Sequence, residues 1–316
     1  MQTNKKAPYP MLMTPVPREI IWGGTKLREK YGKDAPFPKI AESWELSCRD
    51  DAVSRIANGE YAGMPLNEYL GIKAEGFPLL IKFIDAGDRL SVQVHPDDTV
   101  CDKNGRPLGK TEMWYIIEAD EGAQLVYGLK DGITLEDFAR AVDSGRTEEC
   151  LNFVNVSAGD VFFIPAGQIH AIGERITLAE IQQNSDTTYR IYDYGRRDKN
   201  GNERQLHIRE ALRSIKLRSE QEIEAVRFSR GRFDNCIASC DKFTSCKYEI
   251  CGTRSLSICG FGAIICVGGS GTVIYENREY KIKTGDTYFI PENCGEFTVC
   301  GNLTIITAEV KNTGKE

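Results

Sequence analysis

The chain of 316 residues and 35.3 kDa is long enough to bury more than one compact core. Its 41% apolar and 27% charged residues are the proportions of an ordinary soluble globular protein. A net charge of −6 without any block of basic residues excludes nucleic acid and an anionic membrane as main partners, whereas a small anionic substrate needs only a few local cations.

The first predicted helix follows Thr25 and covers 26–30, and a second, 65–70, opens on a proline. Strands are predicted at 79–83, 90–95, 113–117 and 124–127, where apolar and β-branched residues run between Gly, Asn and Asp turns. Thr134-x-x-Asp137 has capping-box spacing and opens a helix over 135–142, followed by another over 148–154. Strands 160–164, 177–182 and 189–192 come next. Ile208, Leu212 and Ile215 share one face of a helix over 208–215, and 225–228 reads as a further strand. From about 230 the chain is strand-rich again.

One segment repeats. Gly159-Asp160-Val161-Phe162-Phe163-Ile164-Pro165 and Gly285-Asp286-Thr287-Tyr288-Phe289-Ile290-Pro291 share the order Gly-Asp, an aromatic-rich triplet, Ile, Pro. This predicts two copies of one β unit, 1–230 and 231–316, divided somewhere in 225–240. The second copy continues without a histidine, so metal binding is expected in the first unit only.

No signal-peptide pattern is present in 1–18, and no run approaches the roughly 20 apolar residues of a membrane span. The eleven cysteines are odd in number and include no Cys-x-x-Cys. They read as reduced thiols of a cytoplasmic protein.

Two of the three histidines lie in a spaced pattern. Gly87 is followed after five residues by Gln93-x-His95. Then comes Lys110-Thr111-Glu112, and Gly159 is followed by Pro165-x-Gly167-x-x-His170. Strand alternation sets Ser91, Gln93 and His95 on one face and Leu90, Val92 and Val94 on the other, as suits a strand lining a polar cavity. Two imidazoles, one carboxylate and an amide oxygen suit one zinc ion per chain, with manganese, iron or cobalt compatible. Taken singly, Glu112 reads as a solvated strand end and either histidine as structural. The joint spacing is what points to a metal. His207, in a polar stretch before a helix, reads as a surface residue.

This spacing resembles the two motifs of the cupin superfamily, with Gln93 where the first histidine of a His-x-His usually stands. The fold class is therefore expected to be mainly β: two cupin-like jelly-roll units with a few inserted helices. More specifically, the chain resembles the class I mannose-6-phosphate isomerases of short bacterial type. The resemblance rests on Glu42-Ser43-Trp44-Glu45-Leu46, Leu90-Ser91-Val92-Gln93-Val94-His95-Pro96-Asp97-Asp98 and Gly109-Lys110-Thr111-Glu112-Met113-Trp114. It continues through Ile164-Pro165-Ala166-Gly167-Gln168-Ile169-His170-Ala171 and Asn184-Ser185-Asp186-Thr187-Thr188-Tyr189-Arg190. Ile172 stands where longer members often have tyrosine.

The resemblance implies zinc on Gln93, His95, Glu112 and His170. It also implies Arg190, Lys110 and Glu180 as catalytic residues, and Ser91, Lys110 and Arg190 as residues that bind substrate. The implied reaction interconverts mannose 6-phosphate and fructose 6-phosphate through an enediol or enediolate. The general base stays open among Lys110, Glu180 and a metal-bound water. On the residues alone, Arg190 also fits a structural ion pair with Asp193. A small sugar phosphate is the expected partner of a monomer or homodimer. The rivals are another metal-dependent sugar-phosphate cupin enzyme, separated by metal analysis and oxygen consumption, and a non-catalytic sugar-binding cupin, separated by lack of turnover with metal bound.

Overall fold

A computed structural model describes residues 7–73, 76–198 and 200–310. Strands dominate and form three large sheets. The central one runs Val161–Ile164, Glu112–Ala119, Ile176–Gln183, Leu79–Ala86, Glu42–Leu46, Val16–Arg18. Facing it lies a five-stranded sheet in the order Leu151–Asn155, Gln124–Leu129, His170–Ala171, Val92–Val94, Tyr189–Tyr192. An eight-stranded sheet holds the C-terminal strands, from Cys236–Ser239 to Glu296–Val310. It also takes in the N-terminal strand Met11–Thr14, which pairs antiparallel with Thr287–Ile290.

The central sheet is buried on both faces, and alternation divides its side chains. Leu79, Ile81, Phe83, Met113, Tyr115, Ala179 and Ile181 join the large core shared with Ile264, Phe289 and Ile305 of the C-terminal sheet. Ile84, Trp114, Ile116, Ile176 and Leu178 point the other way and pack with Leu125, Val156 and Ile172. On that second face, the same parity places Glu42, Lys82, Glu112 and Glu180 between the two sheets.

The repeated segment folds alike in both copies. Gly159 and Gly285 have φ of 95° and 93°, a left-handed backbone suited to glycine. Gly159 N–H donates to the Ile116 carbonyl and Ile116 N–H to the Asp160 carbonyl. Gly285, Cys266 and Asp286 make the same exchange. The Asp160 and Asp286 carboxylates each accept from the backbone N–H three residues earlier, at 2.8 and 2.9 Å.

Helices form at Lys26–Glu29, Leu66–Leu70, Leu135–Asp143 and Ile208–Ser214, close to expectation. The Thr134/Asp137 capping box is complete. Thr25 makes no side-chain cap. The Lys26 N–H donates instead to Asp85 at 2.7 Å, a tertiary partner in place of a local one. Two of the expected elements fail. Instead of a helix over 148–154 there is a 3₁₀ turn, Thr147–Cys150, and an edge strand, Leu151–Asn155, that supplies hydrogen bonds to Gln124–Leu129. Instead of a strand at 225–228 there is the helix Glu220–Arg227, opened by a full Ser219/Glu222 capping box. Leu90 also departs from the expected face. It joins the inter-sheet cluster with Trp22 and Ile172, while Val92 and Val94 pack beneath Phe138 and Ala211. No helix among the described residues is long and apolar enough to cross a membrane.

Candidate metal centre

Register assembles the site. In the five-stranded sheet, Gln93 lies opposite His170 on one side and opposite Arg190 on the other. In the central sheet, Glu180 lies opposite Lys82 on one neighbour and Trp114 on the other, and Gln182 lies opposite Glu112. His95, just past the end of Val92–Val94, meets both sheets.

His95, Glu112 and His170 are completely or almost completely buried, and each offers a ligand atom within 4.8 Å of the others. His95 Nε2 is 3.4 Å from one Glu112 oxygen, and His170 Nε2 is 3.5 Å from the other. The far ring nitrogens face backbone carbonyls, His95 Nδ1 at 2.8 Å from Thr187 and His170 Nδ1 at 2.9 Å from Gln168. A carbonyl only accepts, so Nδ1 carries the proton in each ring and the Nε2 lone pair faces Glu112. The Gln93 amide reaches His170 Nε2 at 3.3 Å. Lys110 Nζ touches Glu112 and lies 3.2 Å from His95 Nε2.

The protonation states match what a cation requires. Burial, then the Lys110 charge, brings His95 down to about 4, and burial also lowers His170. Burial alone would raise Glu112, but the Lys110 charge opposes it, and the carboxyl is held well below its usual range. Glu112 Oε1 has no hydrogen-bond partner among the described residues, and Oε2 is met by the Lys110 ammonium. A fully buried carboxylate in that condition is costly. Two neutral imidazoles and one ionised carboxylate, all turned inward, fit a divalent metal ion.

Gln93 and Lys110 also line a cavity of about 280 Å³ together with Ser91, Glu180, Arg190 and His207. Trp22, Leu90 and Ile172 form apolar wall. A buried charge ladder runs beneath it. Glu42 lies 3.5 Å from Lys82, Lys82 3.2 Å from Glu180, and Glu180 3.9 Å from Lys110, which touches Glu112. Trp114 Nε1 donates to Glu180 at 2.9 Å, and Trp44 Nε1 donates to Glu42 at 2.6 Å.

Arg190 differs from its neighbours. Its guanidinium donates to Ser91 Oγ at 3.2 Å and to the Gln205 carbonyl at 2.9 Å. Among the described residues no carboxylate pairs with it. Asp193 pairs instead with Arg196 and Arg204. Burial, then the charge of Arg204, lowers the Arg190 pKa. An unneutralised, partly desolvated guanidinium beside a hydroxyl is a place for an anion.

The residues singled out from sequence thus come together: His95, Glu112 and His170 converge, Gln93 reaches His170 Nε2 through its amide nitrogen, and Ser91, Gln93, Lys110, Glu180 and Arg190 line the adjoining cavity. His207, expected at the surface, is half-buried and lines the same cavity. Lys82 and Glu42 had no role assigned from sequence. A lysine inside the otherwise apolar run Leu79–Ile84 was the readable signal for the ladder.

Two family models match the chain: the catalytic domain of type I phosphomannose isomerase over residues 11–126, and the cupin domain of mannose-6-phosphate isomerase over residues 235–310. Mannose-6-phosphate isomerase from Streptococcus mutans is 34% identical over 309 residues, spanning 95% of this chain and 98% of the relative. Mannose-6-phosphate isomerase ManA from Bacillus subtilis is 35% identical over 314 residues, spanning 95% and 99%. The crystal structure of the mannose 6-phosphate isomerase from Bacillus subtilis superposes with a TM-score of 0.85 at 31% identity, covering 95% of this chain and 99% of that one. With the cupin fold, the histidine–carboxylate cluster and the matching relatives over nearly its whole length, this chain belongs to the type I mannose-6-phosphate isomerase family.

Proposed function

We propose that the protein interconverts mannose 6-phosphate and fructose 6-phosphate, with one zinc ion per chain held by Gln93, His95, Glu112 and His170. The observation that carries this reading is that Gln93 and Lys110, which touch the buried His95–Glu112–His170 cluster, also line a cavity containing an arginine with no carboxylate partner among the described residues. Family membership supports the choice of substrate.

An aldose–ketose isomerisation opens the sugar ring and moves a proton between C1 and C2. Its cost lies in the negative charge that develops on oxygen in the enediolate. Two neutral imidazoles, one carboxylate and an uncharged amide leave a bound zinc at about +1, and such an ion supplies Lewis-acid polarisation of a substrate oxygen. Arg190 and Ser91 hold the phosphate, which orients the sugar along the cavity. Lys110 and Glu180, 3.9 Å apart, hold and move the proton, taking it from one carbon and returning it to its neighbour. Trp22, Leu90 and Ile172 keep water from the reacting carbons. Reduced thiols are in keeping with a cytoplasmic enzyme: all eleven cysteines are free.

The test is a coupled assay of purified protein with mannose 6-phosphate, before and after chelation, with zinc then added back. Turnover lost on chelation and restored by zinc is expected. No turnover by protein carrying its zinc would overturn the substrate assignment and favour another sugar-phosphate cupin or a binding role.

A further inference from the structure

Residues 190 and 207 are locked together at the cavity edge. The His207 N–H donates to the Arg190 carbonyl at 2.7 Å, and the Arg190 N–H donates to His207 Nδ1 at 3.3 Å. A backbone N–H only donates, so Nδ1 is the acceptor and the proton of the neutral ring sits on Nε2. The Tyr189 ring flanks the imidazole with centroids 6.2 Å apart. Among the described residues nothing meets Nε2, although His207 lines the cavity. Arg190 has a similar open donor. Its Nε and Nη1 are engaged, while Nη2 has no partner among the described residues.

The geometry points to His207 as a substrate-binding residue whose Nε2–H donates to the phosphate monoester beside Arg190 and Ser91. The backbone exchange with Arg190 fixes the tautomer, so this donor is in place before the ligand arrives and costs little to orient. It also couples two groups of the phosphate site, because moving residue 207 moves the backbone that carries the guanidinium. Arg204, tied to Asp193 at 2.7 Å through Nε, adds positive potential to the same wall. This inference rests on the isomerase reading for the identity of the substrate, but not for the presence of a phosphate site.

Two variants separate the donor from the scaffold. His207→Asn keeps an acceptor for the Arg190 N–H and removes the donor at the Nε2 position. His207→Gln carries an amide nitrogen out to the Nε2 position. With metal-loaded protein, His207→Asn is expected to raise KM for mannose 6-phosphate roughly tenfold and to weaken competitive inhibition by inorganic phosphate by the same factor, with His207→Gln recovering part of both. Titration with inorganic phosphate, followed by long-range ¹H–¹⁵N correlation, needs no turnover. The chain has only three histidines, so the His207 ring is resolved directly. Its Nε2 signal is expected to move on adding phosphate, and the movement should vanish in His207→Asn. An unmoved Nε2 signal while phosphate binds, or KM and phosphate inhibition unchanged in His207→Asn, would overturn the role of His207. Phosphate binding that moves Nε2 in a protein without isomerase activity would instead overturn the reaction and leave the site standing.

Discussion

At the scale of single residues, the roles proposed for Arg190 and Glu180 differ, and kinetics can separate them. Arg190 is a guanidinium bonded to Ser91 and the Gln205 carbonyl with no carboxylate partner among the described residues, whereas Glu180 is a buried carboxylate between Lys82 and Lys110. Arg190→Lys keeps the charge and loses the planar fork, so its main effect is expected on KM, by roughly tenfold. Glu180→Gln keeps an acceptor for Trp114 and loses the carboxylate proposed to carry the proton. Its main effect is expected on kcat, by roughly 10²- to 10⁴-fold. Steady-state assays at saturating metal decide the matter. A Glu180→Gln enzyme with wild-type kcat would leave the proton with Lys110 or a metal-bound water. The spacing of Gln93, His95, Glu112 and His170, the proposed ligands, was legible in sequence because such residues come as a set. The place of His207 was not, since it depends on a backbone exchange with a residue seventeen positions away that no local pattern records.

At the scale of elements, strand alternation explains most of the site. It placed Glu112, Lys82 and Glu180 on one face of the central sheet, and register then brought them into one ladder. The elements misread from sequence were governed by different signals. Leu151–Asn155 is drawn into a strand by the open edge of Gln124–Leu129, a tertiary cause. The helix Glu220–Arg227 was announced by Ser219-x-x-Glu222, but the short apolar stretch within it was read with the wrong period. The repeat makes its own prediction. A Cβ on Gly159 meets nothing within 4 Å, while one on Gly285 falls 2.8 Å from the Tyr31 carbonyl oxygen. Gly159→Ala therefore costs only backbone strain, about 1 kcal/mol, and Gly285→Ala on the order of 3 kcal/mol. Equal shifts of the two variants in chemical denaturation would contradict this.

At the scale of the whole molecule, the two copies of the β turn serve unequal ends. The first leads to His170 and the metal cluster. The second leads into a sheet whose inward side chains, among them Ile264, Phe289 and Ile305, form the large core behind the central sheet. The charge ladder is thus backed by an apolar layer on one side and borders the cavity on the other, with Lys110 joining it to the histidine–carboxylate cluster. Composition and periodicity made this β-rich architecture legible. The joining of Met11–Thr14 to Thr287–Ile290 was not, because a pairing across nearly the full chain leaves no local trace. The most direct test of the account is a zinc titration of chelated protein, with bound metal and turnover of mannose 6-phosphate measured at each step. Activity should rise in proportion to bound zinc and level off at one ion per chain, and His170→Ala should lose metal and activity together. Full turnover by the metal-free protein would contradict it.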